Sequence, residues 1–297
     1  MKANILNIHR FSLQNGPGSR TVIFFKGCPL RCLWCSNPES QSRPTELLWD
    51  RKKCFYGHLC EIHCPTKSVS FENDIIHFNP DTCINCGSCI LQCPSKALEF
   101  AGKIMDLQEI MDEILKDQEV YIKSGGGVTL SGGEVLSQSE FAYELLKKCR
   151  EYGIHTVVET SGYSSPLVFS KLARQADLLL FDIKHYDNKE HIKYIGVSQG
   201  KILENLDSAV SMKIPVIVRI PVIPGVTGAL TDARGFAQLL REHGVTSVKL
   251  LPFYQSGDKK YEILNMDYQL KDCETIRNED LDEYLQIFRQ EGLDAST

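Results

Sequence analysis

Three thiols share one short loop, Gly27-Cys28-Pro29-Leu30-Arg31-Cys32-Leu33-Trp34-Cys35. Three residues separate the first pair and two separate the second. Thiolates at that reach can hold three irons of a four-iron, four-sulfide cluster. The fourth iron is then left without a protein ligand and can bind a substrate, as the open position of a catalytic zinc does. A structural zinc knuckle or a disulfide are the competing readings of the same spacing.

Ten of the twelve cysteines fall between Cys28 and Cys93. Cys83, Cys86, Cys89 and Cys93, followed by Pro94, form a complete Cys-x2-Cys-x2-Cys-x3-Cys-Pro run, the pattern of bacterial ferredoxins. An earlier run, Cys54, Cys60 and Cys64 before Pro65, is incomplete, with Gly57 where a cysteine is expected. In two-cluster ferredoxins the last cysteine of each run serves the other cluster. Cys64 then completes a site with Cys83, Cys86 and Cys89, and Cys54, Cys60 and Cys93 form a second site one ligand short. His58, beside the vacant position, is a candidate imidazole ligand; a three-iron cluster, an exogenous ligand and a plain surface histidine are the alternatives. Cys149 shares a helical stripe with Phe141, Leu145 and Tyr152 and reads as core. Cys273 stands alone.

The 297 residues suffice for one large domain or two ordinary ones, with 42% apolar and 24% charged residues as in soluble globular proteins. A net charge of −5 gives no reason to expect nucleic acid or an anionic membrane as partner. No apolar run approaches a membrane span, and the N-terminus does not read as a signal peptide. The expected location is cytoplasmic, where thiols stay reduced and a disulfide framework is not expected.

These groups must be positioned by the elements between them. Gly16-Pro17-Gly18 reads as a turn and 22–25 as a buried parallel strand, from whose end the cysteine loop departs. Residues 50–100 read as an insert. Beyond it, Leu107, Ile110, Met111, Ile114 and Leu115 make a helical stripe that Asp106 could cap. Residues 128–131 form a strand ending in Gly132-Gly133-Glu134, where glycines permit close backbone approach and free carbonyls can meet a charged amine. Ser137-Gln138-Ser139-Glu140 reads as a capping box opening a helix to about 152. Further strands are expected over 156–159, 178–184, 216–221 and, last, 247–251. Helices are expected from Ser165-Pro166, over 201–212 and 231–243, and at the terminus over 278–290. Asp182 and Lys184 should share one face of their strand, toward a polar ligand or toward solvent. Arg219 suits a carboxylate ligand or a structural ion pair. No internal repeat is apparent. Six strands alternating with helices predict an α/β parallel sheet, too few for a closed eight-stranded barrel and so open on one side.

In combination these motifs resemble the glycyl radical enzyme activating enzymes of the radical S-adenosylmethionine (SAM) type, in the subgroup with a two-cluster ferredoxin-like insert. The resemblance covers nearly the whole chain. It rests on Gly16-Pro17-Gly18-x-Arg20-Thr21, the Cys28, Cys32, Trp34, Cys35 loop with Asn37-Pro38-Glu39 after it, and the insert. It continues through Gly132-Gly133-Glu134, Glu159-Thr160-Ser161-Gly162, Asp182-Ile183-Lys184-His185, Arg219-Ile220-Pro221 and Leu251-Pro252-Phe253. It implies a partial (β/α)6 barrel in two stretches, 1–49 and 101–297, around a bacterial-ferredoxin-like iron–sulfur domain at 50–100. It implies that Cys28, Cys32 and Cys35 hold a 4Fe–4S cluster that cleaves SAM reductively. The resulting 5′-deoxyadenosyl radical removes a hydrogen from a glycine Cα of a partner glycyl radical enzyme. Gly132, Gly133 and Glu134 would receive the SAM amino group, Asp182, Lys184 and Arg219 its ribose and carboxylate side, and Trp34 would border the cofactor. Glu159, Thr160 and Asp182 resemble positions around a monovalent cation. The insert clusters would pass electrons inward from a flavodoxin or ferredoxin.

Three positions depart from the family pattern: Asn15 for Asp, Val135 for Pro and Tyr254 for His. The last puts one SAM contact in doubt, although a tyrosine can stack or hydrogen-bond there. The other functional readings are a radical SAM enzyme acting on a small molecule or peptide, and an electron carrier using the insert alone. An electron carrier would have no use for the intact strand-end motifs.

Overall fold

A computed structural model describes residues 1–255 and 257–297. Its strands are β1 (Lys2–Ser12), β2 (Arg20–Phe25), β3 (Glu46–Trp49), β4 (Val69–Glu72), β5 (Ile75–Phe78), β6 (Leu98–Ala101), β7 (Lys103–Asp106), β8 (Gly127–Gly132), β9 (His155–Thr160), β10 (Leu178–Asp182), β11 (Val216–Val222), β12 (Ser247–Pro252) and β13 (Asp294–Ser296). Nine of them form one sheet in the order β13-β12-β11-β10-β9-β8-β2-β1-β7. The six strands from β2 to β12 in that order run parallel, at the places expected from sequence. Their apolar runs are buried on both faces, which is why they show no alternation.

The edges were not foreseen. β1 pairs antiparallel with β2 and with β7, and β13 follows β12 in parallel, so 247–251 is not the last strand. β1 is half exposed and mixed in composition, and β13 is only Asp294–Ser296, so neither carries a core pattern. Helices at Gln118–Ser124 and Asn188–Ile195 were also missed.

Asp106 caps the helix Leu107–Leu115 in a reciprocal box with Glu109. The box expected at Ser137 is not formed. Val135–Gln138 is a short 3-10 turn, and the α-helix starts at Ser139. Gln138 is drawn off instead: its side chain accepts from the Asn4 N–H at 2.9 Å and donates to the Asn4 and Lys26 carbonyls at 2.8 Å each. Phe141, Leu145 and Cys149 of that helix are buried, but Tyr152 faces solvent. The terminal segment is a 3-10 turn, Asn278–Leu281, before the helix Asp282–Gln290.

Buried Arg20 pins β2 to its neighbours. It donates to Thr129 Oγ1 at 2.6 Å and to the carbonyls of Pro17, Val128 and His155 at 2.9, 2.6 and 3.1 Å. Burial lowers its pKa to about 10, so the hydrogen bonds must make up for lost hydration.

Between β2 and β7 the chain builds a separate unit with its own small core of Cys60, Val69, Cys89 and Leu98. β3 pairs with β6 and β4 with β5, both antiparallel. One-turn helices Leu59–Ile62 and Ser88–Leu91 carry the cysteines, each entered through a left-handed residue, His58 or Gly87. The two halves repeat at a constant offset, an internal repeat that the sequence reading did not recognise because Gly57 and Phe55 break the identity. Buried Lys26 ties this unit to the sheet, donating to the Glu39 carbonyl at 2.5 Å and to Glu46 Oε2 at 2.7 Å.

Arg20→Ala should lower the unfolding free energy by about 3–5 kcal/mol, from lost charge-assisted hydrogen bonds and the cavity left in the sheet. Denaturant unfolding of the variant beside the parent chain measures it.

Candidate active site

Because the six central strands are parallel, their C-terminal ends gather on one side. There they surround a cavity of ≈ 630 Å³. All six parallel strands contribute: Cys28, Cys32 and Cys35 follow β2, Gly132 to Glu134 end β8, and Glu159 to Ser161 end β9. Asp182 and Lys184 come from the end of β10, Arg219 from β11, and Phe253 and Tyr254 from beyond β12. All the residues expected around SAM, Trp34 included, therefore border one space.

The three thiols are free, and Cys32 lies near enough to both Cys35 and Lys184 to feel their charge. Burial pushes the Cys28 and Cys32 thiols up to about 12, so it takes iron to hold them as thiolates. Among the described residues, no three Cys, His, Asp or Glu side chains converge on the position of a single metal ion. The thiols border a space larger than one ion instead, which fits a cluster. The loop carrying them is pinned by backbone bonds from Gly27 to Ser40 (2.7 Å) and from Cys28 to Gln41 (3.0 Å). Lys260 holds the return segment through Asn37 Oδ1 and Glu39 Oε1, each at 2.6 Å. Trp34 packs beside the small core of Ile223, Phe253, Tyr261 and Tyr268, which Cys273 also joins. Sequence reasoning missed Lys26 and Lys260; a lone lysine in a polar segment carries no signal of the loop it will meet.

Glycine is required at Gly132 and Gly133. Gly132 has φ +121, and a β-carbon on Gly133 would lie 2.6 Å from the Gly27 carbonyl oxygen and 2.7 Å from that of Ser40. Glu134 is buried and its carboxylate is engaged within the protein. It accepts from Thr160 Oγ1 (2.6 Å), Ser161 Oγ (2.6 Å), and the N–H groups of Ser161 (2.9 Å) and Leu136 (3.1 Å). Burial raises its pKa, against the pull of those donors. Glu134 thus clamps the end of β8 to that of β9.

Glu159, Arg219, Asp182 and Lys184 form a buried ladder of alternating charge. Arg219 Nη1 lies 2.9 Å from Glu159 Oε1, its Nε lies 2.7 Å from Asp182 Oδ1, and Lys184 Nζ lies 3.2 Å from Asp182 Oδ2. Burial opposes ionisation of Asp182, yet Arg219 and Lys184 hold its pKa below the usual aspartate value. The strand stops at Asp182, but Lys184 still reaches it as alternation suggested. Asn15 Nδ2 donates to Glu159 Oε1 at 2.7 Å, and Ser131 donates to the other oxygen. The positions suggested for a monovalent cation are engaged by this network: Arg219 spans Glu159 and Asp182, and Thr160 serves Glu134. Tyr254 borders the cavity while remaining 73% exposed.

In the separate unit, Cys54, Cys60 and Cys93 border one cavity together with Phe55, Gly57 and His58. Cys89 lies in the electrostatic reach of Cys64 and Cys83, and Cys86 in that of Cys64. Cys89 is also in the reach of Cys60, so the two sets of thiols lie close together.

The radical SAM superfamily model matches residues 63–250. The chain is 38% identical to the choline trimethylamine-lyase activating enzyme of Oleidesulfovibrio alaskensis, over 95% of this chain and 93% of that one. It is 39% identical to the (2S)-3-sulfopropanediol dehydratase activating enzyme of Klebsiella oxytoca, over 92% and 89%. A radical SAM methyltransferase from Sphaerobacter thermophilus shares the fold, with TM-score 0.51 and 15% identity over 72% of this chain and 61% of that one. The chain belongs to the radical SAM superfamily and, within it, to the glycyl radical enzyme activating enzymes. No helix among the described residues is long and apolar enough to cross a membrane.

Glu134→Gln replaces one acceptor oxygen by a donor facing the Thr160 or Ser161 hydrogens. It should lower stability by about 1–3 kcal/mol, readable as a shifted denaturant midpoint.

Proposed function

We propose that this member of the family activates a partner glycyl radical enzyme, with SAM and a cysteine-held 4Fe–4S cluster in the cavity at the strand ends. One observation carries the reading: three free thiols, a glycine-lined strand end and a balanced charge ladder border the same space. Bound there, the cluster and SAM supply one-electron cleavage chemistry, giving a 5′-deoxyadenosyl radical that takes a hydrogen from a glycine Cα of the partner.

The chain's own residues hold and orient. Cys28, Cys32 and Cys35 would hold the cluster, which would leave one iron without a protein ligand for SAM. Gly132 and Gly133 present backbone without side chains to the ammonium, with Glu134 fixing their position. Asp182 and Lys184 would meet the ribose and carboxylate, and Arg219 bridges Glu159 and Asp182 beside them. The ladder carries no net charge, so a sulfonium amino acid adds its charges to a site already in balance. Trp34 walls the cluster side.

The sheet does not close, β13 and β7 being its two edges. We infer that it curves as a partial barrel whose open side admits the glycine-bearing loop of the partner. The unit at 50–100, extended by its paired strands to 46–101, is read as a ferredoxin-like domain holding two clusters that relay electrons from a flavodoxin or ferredoxin. We infer a cytoplasmic location, which suits such donors.

Anaerobic reconstitution with iron and sulfide, reduction and addition of SAM should yield 5′-deoxyadenosine. A Cys28→Ala, Cys32→Ala, Cys35→Ala variant should yield none while retaining insert signals in EPR. Candidate partners mixed with the active protein should then develop a glycyl doublet; SAM cleavage without a doublet on any partner favours a small-molecule or peptide substrate. Absence of SAM cleavage by the parent overturns the assignment. Gly133→Ala should slow SAM cleavage by about 10²-fold, since its β-carbon displaces the cluster loop, with cluster content unchanged.

A further inference from the structure

The two halves of the insert match residue for residue at one offset. Cys54 corresponds to Cys83, Cys60 to Cys89 and Cys64 to Cys93. The backbone agrees: Tyr56 and Asn85 are left-handed (φ 56 and 53), as are His58 and Gly87 (φ 56 and 74) and Lys67 and Lys96 (φ 53 and 50). Gly57 therefore occupies the place of Cys86, and Phe55 that of Ile84.

Glycine at 57 is not a backbone requirement, because Gly57 is not among the residues of positive φ. The Phe55 ring accounts for it. A β-carbon at Gly57 would lie 2.2 Å from Phe55 Cε2 and 2.7 Å from Cζ. Loss of the cysteine and enlargement of isoleucine to phenylalanine thus fill one volume, on the wall of the cavity that Cys54, Cys60 and Cys93 share. His58 borders the same cavity; its ring packs on Phe71 with centroids 4.3 Å apart and its Nδ1 lies 3.2 Å from Glu61 Oε2, so Nε2 is the nitrogen through which it would compete for the corner, and a His58→Ala variant tests it.

We infer that Cys54, Cys60 and Cys93 hold a three-iron, four-sulfide cluster, with the Phe55 ring standing where a fourth iron and its ligand would be. This rests on reading the insert as an iron–sulfur domain. Three thiolates match three irons one to one, and an aromatic ring offers a fourth iron no ligand. The other insert site, with Cys64, Cys83, Cys86 and Cys89, keeps a full ligand set and four irons.

The test uses the full chain with Cys28→Ala, Cys32→Ala and Cys35→Ala, so that only insert clusters contribute. After anaerobic reconstitution, Mössbauer spectra and iron analysis should show one four-iron and one three-iron cluster. The oxidised protein should give the EPR signal of a three-iron cluster, and excess ferrous iron with reductant should not convert it. His58→Ala should leave that signal intact. Gly57→Cys with Phe55→Ile should replace it by a second four-iron cluster. Uptake of a fourth iron without Gly57→Cys, or loss of the signal in His58→Ala, overturns the inference and assigns the corner to an exogenous ligand or to imidazole. Two four-iron clusters in the parent insert overturn it as well, while leaving the iron–sulfur domain standing. An insert that binds no iron at all removes the domain reading and the inference together. Should the double substitution fail to fold, the parent's Mössbauer spectrum decides alone.

Discussion

Four charges lie side by side beneath the cavity: Glu159, Arg219, Asp182 and Lys184, each largely removed from water. Burying any one of them alone would cost several kcal/mol, so Arg219 pairs with carboxylates of two other strands and Lys184 with Asp182 at its own strand end. That constraint ties β9, β10 and β11 into one register at their C-terminal ends. Asn15 and Ser131 extend it to the turn before β2 and to β8. A cavity that receives a charged ligand is thereby walled by groups already fixed, with little reorganisation left for binding.

Beside the ladder, Glu134 has a structural task in addition to the one its motif suggested. Its carboxylate is committed to Thr160 and Ser161, so the two strand-end motifs, Gly132-Gly133-Glu134 and Glu159-Thr160-Ser161-Gly162, are halves of one clamp. The glycines then have a reason beyond ligand approach. Gly133 passes between the carbonyls of Gly27 and Ser40, at the two ends of the cysteine loop's anchorage. Cluster loop and glycine strand end are packed backbone to backbone, and side chains between them would push the two apart.

The insert follows another economy of space. Its core is small and includes two cysteines, Cys60 and Cys89, among its buried members. A unit of this size would gain much of its cohesion from clusters bound as proposed above. Lys26 and the Glu46 end of β3 join it to the sheet just before Gly27, so the insert and the cluster loop share an anchor.

Much of this was legible along the chain. Cysteine spacing, glycine pairs at strand ends and short β-branched runs are local patterns, and the six parallel strands and the motifs that line the cavity followed from them. Asp106 capped its helix as read, because a capping box needs only neighbours within one turn. What failed was decided at long range. Ser137 lost its cap because Gln138 is claimed by Asn4 of β1 and by Lys26 just after β2. The edge strands β1, β7 and β13 owe their existence to partners rather than to pattern. Arg219 as a bridge, Glu134 as a clamp and Phe55 against Gly57 depend on which chemically able neighbour lies within 3 Å, roughly the hydrogen-bond or contact distance. Residue types and spacing settle which chemistry this chain can perform. Only the packed sheet decides which groups remain free to perform it, because a buried polar group must take whatever partner the fold puts beside it.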